Sequence, residues 1–325
     1  METAFKTFAY LFVFPGLLFL FVYSTFIEWL DRKLYARFQN RMGPTYTGAF
    51  GLLQPIADFI KLMAKEDIVP AAADRVMFTL APMLGLTAVC TAALLLPIWH
   101  YNVDIQSMTS FQGDIIVIAY LLTLPSLAYF LAGWASRSPF AALGGVRVLT
   151  LLFSYEVPLF LALLSPAVMA GSWRLAEIAA YFQNHPFHVL ITLFLGLPVA
   201  LVCLQAKLER IPFDIPEAET EIVGGAFTEY SGRKLAMFRL LIDIEMVVGA
   251  GFIAALFLGG FPGGLGWGFI WFILKTLAIV VVLTAAKAVM ARIRIDQMVE
   301  FSWRYLAPLA VLQLAIVVLV KGFLK

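Results

Sequence analysis

Residues 209 to 232 read ERIPFDIPEAETEIVGGAFTEYSG and interrupt a chain that is otherwise mostly hydrocarbon. Six carboxylates fall within them: Glu209, Asp214, Glu217, Glu219, Glu221 and Glu229. Long apolar runs flank the stretch, and 62% of the chain is hydrophobic while only 14% is charged. Soluble domains carry about a quarter charged residues, so this chain reads as a membrane protein and the acidic stretch as a connection between spans. Pro212 and Pro216 forbid a continuous helix through its first half. Beyond them, Glu217 and Glu221 share one helix face and Glu219 lies on another. A solvated loop is the plain alternative. The content of Pro, Phe, Ile and Val favours instead a folded cytoplasmic cap over a cavity, spanning residues 208–234.

Working outward, eight apolar runs reach or approach the length that crosses hydrocarbon: about 8–30, 76–98, 113–134, 140–170, 187–207, 236–259, 267–290 and 303–323. The expected fold is all-α, a polytopic membrane protein of about eight transmembrane helices forming a single membrane domain over residues 1–325. The first run is too long for a signal-peptide core and lacks a cleavage pattern, so it reads as a retained span. No internal repeat is visible, which disfavours a transporter built from duplicated halves.

Lys and Arg set the orientation. Connections after the odd-numbered spans, with the adjoining span ends, hold eighteen bases, whereas the other side holds only Lys6, Arg174, Lys321 and Lys325. The expectation is a plasma-membrane protein with both termini outside. The first cytoplasmic connection, residues 31–75, contains GAFGLLQPIADFIKLMAKED, with Leu52, Ile56, Phe59, Ile60 and Met63 at helical spacing. That pattern predicts a surface amphipathic helix over residues 49–65. The first connection carries seven bases and five acids, and the segment from Leu208 to Lys234 six acids and three bases. Opposite net charges on one membrane face favour their packing together.

The chemistry-bearing residues exclude several classes. Cys90 and Cys203 lie in apolar runs without a Cys-x-x-Cys pattern, so disulfides, zinc sites and cysteine-held clusters are unsupported. His100, His185 and His188 sit in or beside connections and cannot clamp a haem between spans. GGFPGGLGWG, residues 259–268, lacks the lysine and the strand–helix setting of a phosphate loop and reads as a turn. No basic tail suggests nucleic acid. The chain is expected to bind no metal or redox cofactor of its own.

Ionisable groups inside spans cost about 2.5–3.5 kcal/mol each on insertion scales and mark functional sites. Glu156 lies mid-span, Lys275 within FILKTLAIV, and Asp243 and Glu245 in the sixth span. A buried ion pair of Arg239 with Asp243 at i, i+4 is the structural alternative. With the acidic loop, these residues outline a proton or cation path.

The acidic stretch resembles the signature loop of the membrane subunit that anchors the peripheral arm of respiratory complex I. That component is called H in bacterial NADH:quinone oxidoreductase, with counterparts in complex-I-related membrane-bound hydrogenases and sulfane reductases. The likeness extends in order through DRKLYARFQNRMGPTYTGAFGLLQPIADFIKLMAKEDIVP, ADRVMFTLAP, GWASRSPFAALGGVR with SYE, and WFILKT with RIRIDQM, over about 275 residues. The resemblance implies a cofactor-free subunit of a cation-translocating oxidoreductase. It would dock peripheral subunits carrying iron–sulfur clusters and, on the hydrogenase-like branch, a nickel–iron site, and would contact small and antiporter-like membrane subunits. It would also wall a chamber and link electron transfer to proton or sodium movement. By position, Arg37, Arg41, Asp58 and Lys61 would line the chamber and docking face. Glu156, Glu209, Asp214, Glu217, Glu219, Glu221 and Glu229 would form the coupling path, with Asp243, Glu245 and Lys275 as further members.

The chain also departs from that family's pattern. AKLER stands where A-E-x-N-R is usual, placing Lys207 in an acid's position, and Asp243 and Glu245 lie just after Ile242, where a glutamate is usual. AAKAVMARIR replaces a Trp- and Pro-containing run, Leu151 replaces a Gln, and Thr45 replaces an Asn. These changes lean the reading toward a hydrogenase-like or sulfur-reducing complex. The alternative is the quinone-chamber subunit of a quinone oxidoreductase, and the remoter ones are a stand-alone ion-coupled transporter and an inert scaffold.

Overall fold

A computed structural model describes residues 8–14, 16–98, 110–262 and 265–324. His100, Lys6, Lys325 and two positions of the glycine-rich turn, 263 and 264, lie outside the described residues. Every regular element among the described residues is helical. Among the described residues, eight helices are long and apolar enough to cross a membrane: span 1 (Phe8–Phe38), span 2 (Arg75–Leu94), span 3 (Asp114–Ala135), span 4 (Pro139–Ala170), span 5 (Pro186–Lys207), span 6 (Gly232–Phe257), span 7 (Gly266–Val289) and span 8 (Ile295–Phe323).

Span 6 is the axis of the bundle. Its apolar window is 83% buried, against 28–56% for the others. Small residues allow that burial: Val247–Gly251 includes Gly249, Ala250 and Gly251, and Ala254 and Ala255 follow one turn later. Spans 1, 2, 5 and 7 pack around it, and spans 3, 4 and 8 form an outer layer resting on spans 2 and 5. A Cβ added at Gly249 would meet the Leu204 side chain of span 5, and one at Gly85 the Leu241 side chain. Lipid is as apolar as leucine, so close backbone approach and polar links must hold such helices together. Buried hydroxyls and amides supply the links. Tyr23 of span 1 bonds Thr276 of span 7, Gln313 of span 8 donates to the Ile191 carbonyl of span 5 at 2.7 Å, and Ser126 of span 3 meets Tyr155 of span 4 at 2.9 Å.

Three elements depart from the sequence reading. Span 1 continues as helix to Phe38 rather than ending near residue 30, because the following residues, EWLDRKLYARF, are good helix formers with an internal Glu28–Arg32 pair at i, i+4. Span 8 begins at Ile295 rather than 303. The Gln297 side chain accepts the Arg294 amide at 3.0 Å to start it, and a π-helical turn at Ser302–Leu306 brings the Ser302 hydroxyl onto the Ser154 carbonyl. The predicted surface helix is a short 3₁₀ turn, Ala49–Gly51, followed by an α-helix, Gln54–Ala64, packed on spans 1 and 6.

The acidic stretch folds as a cap at the charged end of the bundle. Gly225, at φ +55°, faces the Pro216 carbonyl so closely that a Cβ would overlap it. Tyr230 stacks on Phe78 of span 2 at 3.9 Å, and its hydroxyl donates to the Phe78 carbonyl at 3.0 Å. Burial raises the Tyr230 phenol above its ordinary pKa. The cap does pack beside the first connection, but the pairing is reversed from the expected sense. Bases of the acidic segment meet acids of the other: Lys234 with Asp67 at 2.5 Å, and Arg210 with Asp31. Net charge set the expectation, whereas local partners decided the contacts.

Candidate functional site

A cavity of about 1140 Å³ opens at the charged end between span 1, the surface helix, the start of the acidic stretch and span 6. Span 1 supplies Glu28, Asp31, Arg32 and Tyr35 along one face, spaced i, i+3, i+4, i+7. The floor of the first connection is pinned to the same helix. Lys33 donates to the Pro44 and Phe50 carbonyls at 2.8 and 3.1 Å, and Trp29 to Phe50 at 3.2 Å. Asp58 of the surface helix receives Arg32 at 2.7 Å and Gln54 at 2.9 Å, which holds that helix against span 1 as a cavity wall.

Asp31 is the most deeply held acid of the wall, 4% exposed. Its carboxylate meets Arg210 of the acidic stretch, Thr284 of span 7 at 2.5 Å and Lys287 of span 7 at 3.8 Å. Lys287 and Arg41 also lie over the Tyr35 ring, at 4.8 and 5.5 Å. Opposite, Arg239 of span 6 approaches Glu217 at 3.9 Å, and Asp243 lies beside Glu28 with Arg32 and Arg239 nearby. The i, i+4 ion pair of Arg239 with Asp243 does not form among the salt bridges; Arg239 turns to the loop carboxylate instead.

The cavity wall holds seven carboxylates, from Glu28 to Asp243, and six bases, interleaved with Tyr35, Tyr46, Phe59, Leu62 and Met246. Near-balanced charge over an aromatic and aliphatic lining suits a neutral polar head on an apolar stem. The inner wall of the stretch behaves differently from its outer one. Burial, then the negative charge of Glu217, Glu245 and Asp214, pushes the Glu209 carboxyl well above the ordinary carboxylate pKa. Glu221, exposed outside the cavity, is hydrogen-bonded by Arg147 at 2.7 Å, which lowers its pKa.

Of the residues singled out from sequence, Arg41, Asp58, Lys61, Glu209, Asp214, Glu217 and Asp243 line the cavity. Arg37 is exposed and off it. Glu221 pairs with Arg147, Glu229 is half-buried away from the cavity, and the side chain of Glu219 lies outside the described residues. Glu245 is buried behind the cavity at 1% exposure, and Glu156 on span 4 interacts electrostatically with Lys207. Lys275 sits at the opposite end of the bundle, where its ammonium donates to the Leu258 and Gly260 carbonyls, both at 2.6 Å. There it caps the end of span 6. Sequence reasoning missed Glu28, Asp31, Arg210 and Lys287 as cavity residues; the one-face spacing of Glu28, Asp31, Arg32 and Tyr35 was the available signal.

A family model described as NADH dehydrogenase matches residues 11–318. The chain is 39% identical over 325 residues to NADH-quinone oxidoreductase subunit 8 of Thermus thermophilus, covering 95% of this chain and 85% of the relative. It is 38% identical over 288 residues to the NADH-quinone oxidoreductase H subunit of Dehalococcoides mccartyi, covering 89% and 80%. An H subunit of Geobacter sulfurreducens is 39% identical over 306 residues, 90% of each. The chain belongs to the NADH-quinone oxidoreductase H-subunit family. As a member of it, the chain is a multi-pass membrane component of a respiratory, multi-subunit oxidoreductase. The hydrogenase-leaning expectation finds no support here: these relatives are named quinone oxidoreductase subunits, which favours the quinone alternative.

Proposed function

We propose that the 1140 Å³ cavity receives the head of a membrane quinone, and that the acids at its inner wall couple quinone reduction to ion translocation. The carrying observation is the junction at Glu209 and Glu217. Both line the cavity, and both hold one buried carboxylate oxygen without a hydrogen-bond partner among the described residues. Groups held that way respond to a change of charge beside them by changing protonation or position. The lining also fits the ligand class: Tyr, Arg and Lys donors near the mouth can orient a carbonyl, and Leu62, Met246 and Phe59 offer apolar contact.

In this reading the chain binds no redox cofactor. Electrons arrive from iron–sulfur subunits docked over the charged end, while small and antiporter-like membrane subunits lie alongside. Eighteen bases concentrate at that end and its connections, which supports a cytoplasmic placement with both termini outside. Whether protons or sodium ions move is tested with the function itself. Glu217→Gln in the assembled complex should leave quinone reduction within about twofold and lower ion uptake per electron about tenfold. Unchanged uptake would favour a scaffold. Uptake abolished by a sodium ionophore but not by a protonophore would assign sodium.

A further inference from the structure

Behind the cavity, at the meeting of spans 3, 4, 5 and 6, lies a buried cluster that the chamber itself does not use. Lys207 and Glu245 are 2% and 1% exposed and face each other at 3.9 Å. Neither the Lys207 ammonium nor Glu245 Oε1 has a hydrogen-bond partner among the described residues. A buried ion pair that serves stability is normally short and fully hydrogen-bonded, because each charge has been taken out of water. This pair is neither.

Two further contacts give the pair direction. Tyr129 lines the cavity and directs its hydroxyl to Glu245 Oε2 at 3.4 Å, so the pair stands one side chain behind the cavity wall. Glu156 of span 4 also acts electrostatically on Lys207, and the ring of its neighbour Tyr155 lies 5.5 Å from the ammonium. Lys207 therefore feels two carboxylates on different helices, one of them at 3.9 Å. It is held loosely by one, with a polarisable ring beside the route to the other.

We infer that Lys207 is the movable charge of this subunit. Its ammonium moves between Glu245, next to the cavity, and Glu156, on the outer layer of the bundle. A negative charge appearing at the cavity-lining Glu209 strengthens its hold on the Glu245 side, and loss of that charge releases it toward Glu156. No bond is made or broken; a lysine stem of four methylenes supplies the reach. The inference rests on the coupling role proposed above and names the element that carries it. Lys207 is a positioning residue, acting through the field it imposes on Glu156 and not on the quinone.

The test uses the assembled complex in native membrane vesicles, reading ions taken up per electron beside quinone reduction. Lys207→Met alone leaves Glu245 buried and unpaired, so it is combined with Glu245→Gln, which removes both charges. The exchange Lys207→Glu with Glu245→Lys keeps the pair but sets a carboxylate against Glu156. Both double variants should assemble and reduce quinone, and both should lose about tenfold in ions per electron. Wild-type uptake in the exchanged variant would show a static pair and overturn the inference, as would wild-type uptake in the neutral one. Absence of uptake in the unmodified complex would instead remove the coupling role, and the inference with it.

Discussion

Replacing Asp31 with Asn should be among the most destabilising isosteric changes in the chain. The carboxylate is 4% exposed and is shared by Arg210, whose side chain is 9% exposed, by Thr284 and by Lys287. The amide keeps the shape and can keep the Thr284 bond, but it removes the anion shared by two bases, one on span 7 and one on the cap. Removing one partner of a buried pair costs about 3–5 kcal/mol, because the remaining charge stays desolvated. At about 4 kcal/mol the unfolding equilibrium shifts roughly a thousandfold. The assay is SDS-titrated unfolding of the full chain in lipid–detergent micelles. Arg210→Gln and the Asp31→Asn/Arg210→Gln pair complete a double-mutant cycle, and the expected coupling is about 2–3 kcal/mol. An Asp31→Asn cost below about 1 kcal/mol, or strictly additive changes, would refute the view that this contact joins span 1, span 7 and the cap.

Two other expectations follow from the cap. Glu209 has a folded-state pKa above its unfolded value, so its contribution to stability is full in acid and lost as pH rises through the raised value. Glu209→Gln should therefore flatten the fall in stability between acidic and neutral pH, seen by unfolding the chain at a series of pH values; parallel curves would count against it. Gly225→Ala should cost about 1–2 kcal/mol for the positive φ alone, and more because its Cβ would overlap the Pro216 carbonyl, read as lower expression and a lower unfolding midpoint.

Much of the architecture was legible because lipid imposes a long apolar run on every crossing helix. Eight runs located eight helices, and the prolines of the acidic stretch marked it as folded-back rather than helical. What stayed hidden was the identity of partners. Span 1 looked finished near residue 30, yet Asp31 and Arg32 continue the helix and face the cavity with Glu28. Arg239 stands one turn from Asp243, but the cap delivers Glu217 to it instead. Lys275 stood out in the sequence as a charge within an apolar run. Its actual partners are main-chain carbonyls at the end of span 6, and carbonyls leave no trace in a sequence. Lys207 looked like a departure from a family pattern; only folding brought it to Glu245 and within the influence of Glu156.

Occupation of the charged-end cavity by a quinone head is tested most directly by photolabelling. The assembled complex is treated with a quinone bearing a reactive group on its ring, and this chain is then mapped by peptide. Labels should fall on the cavity-lining residues between Arg41 and Leu62 and between Leu208 and Glu217, and excess unlabelled quinone should compete them away. Labelling confined to other subunits, or to the lipid-facing surfaces of the spans, would contradict that placement.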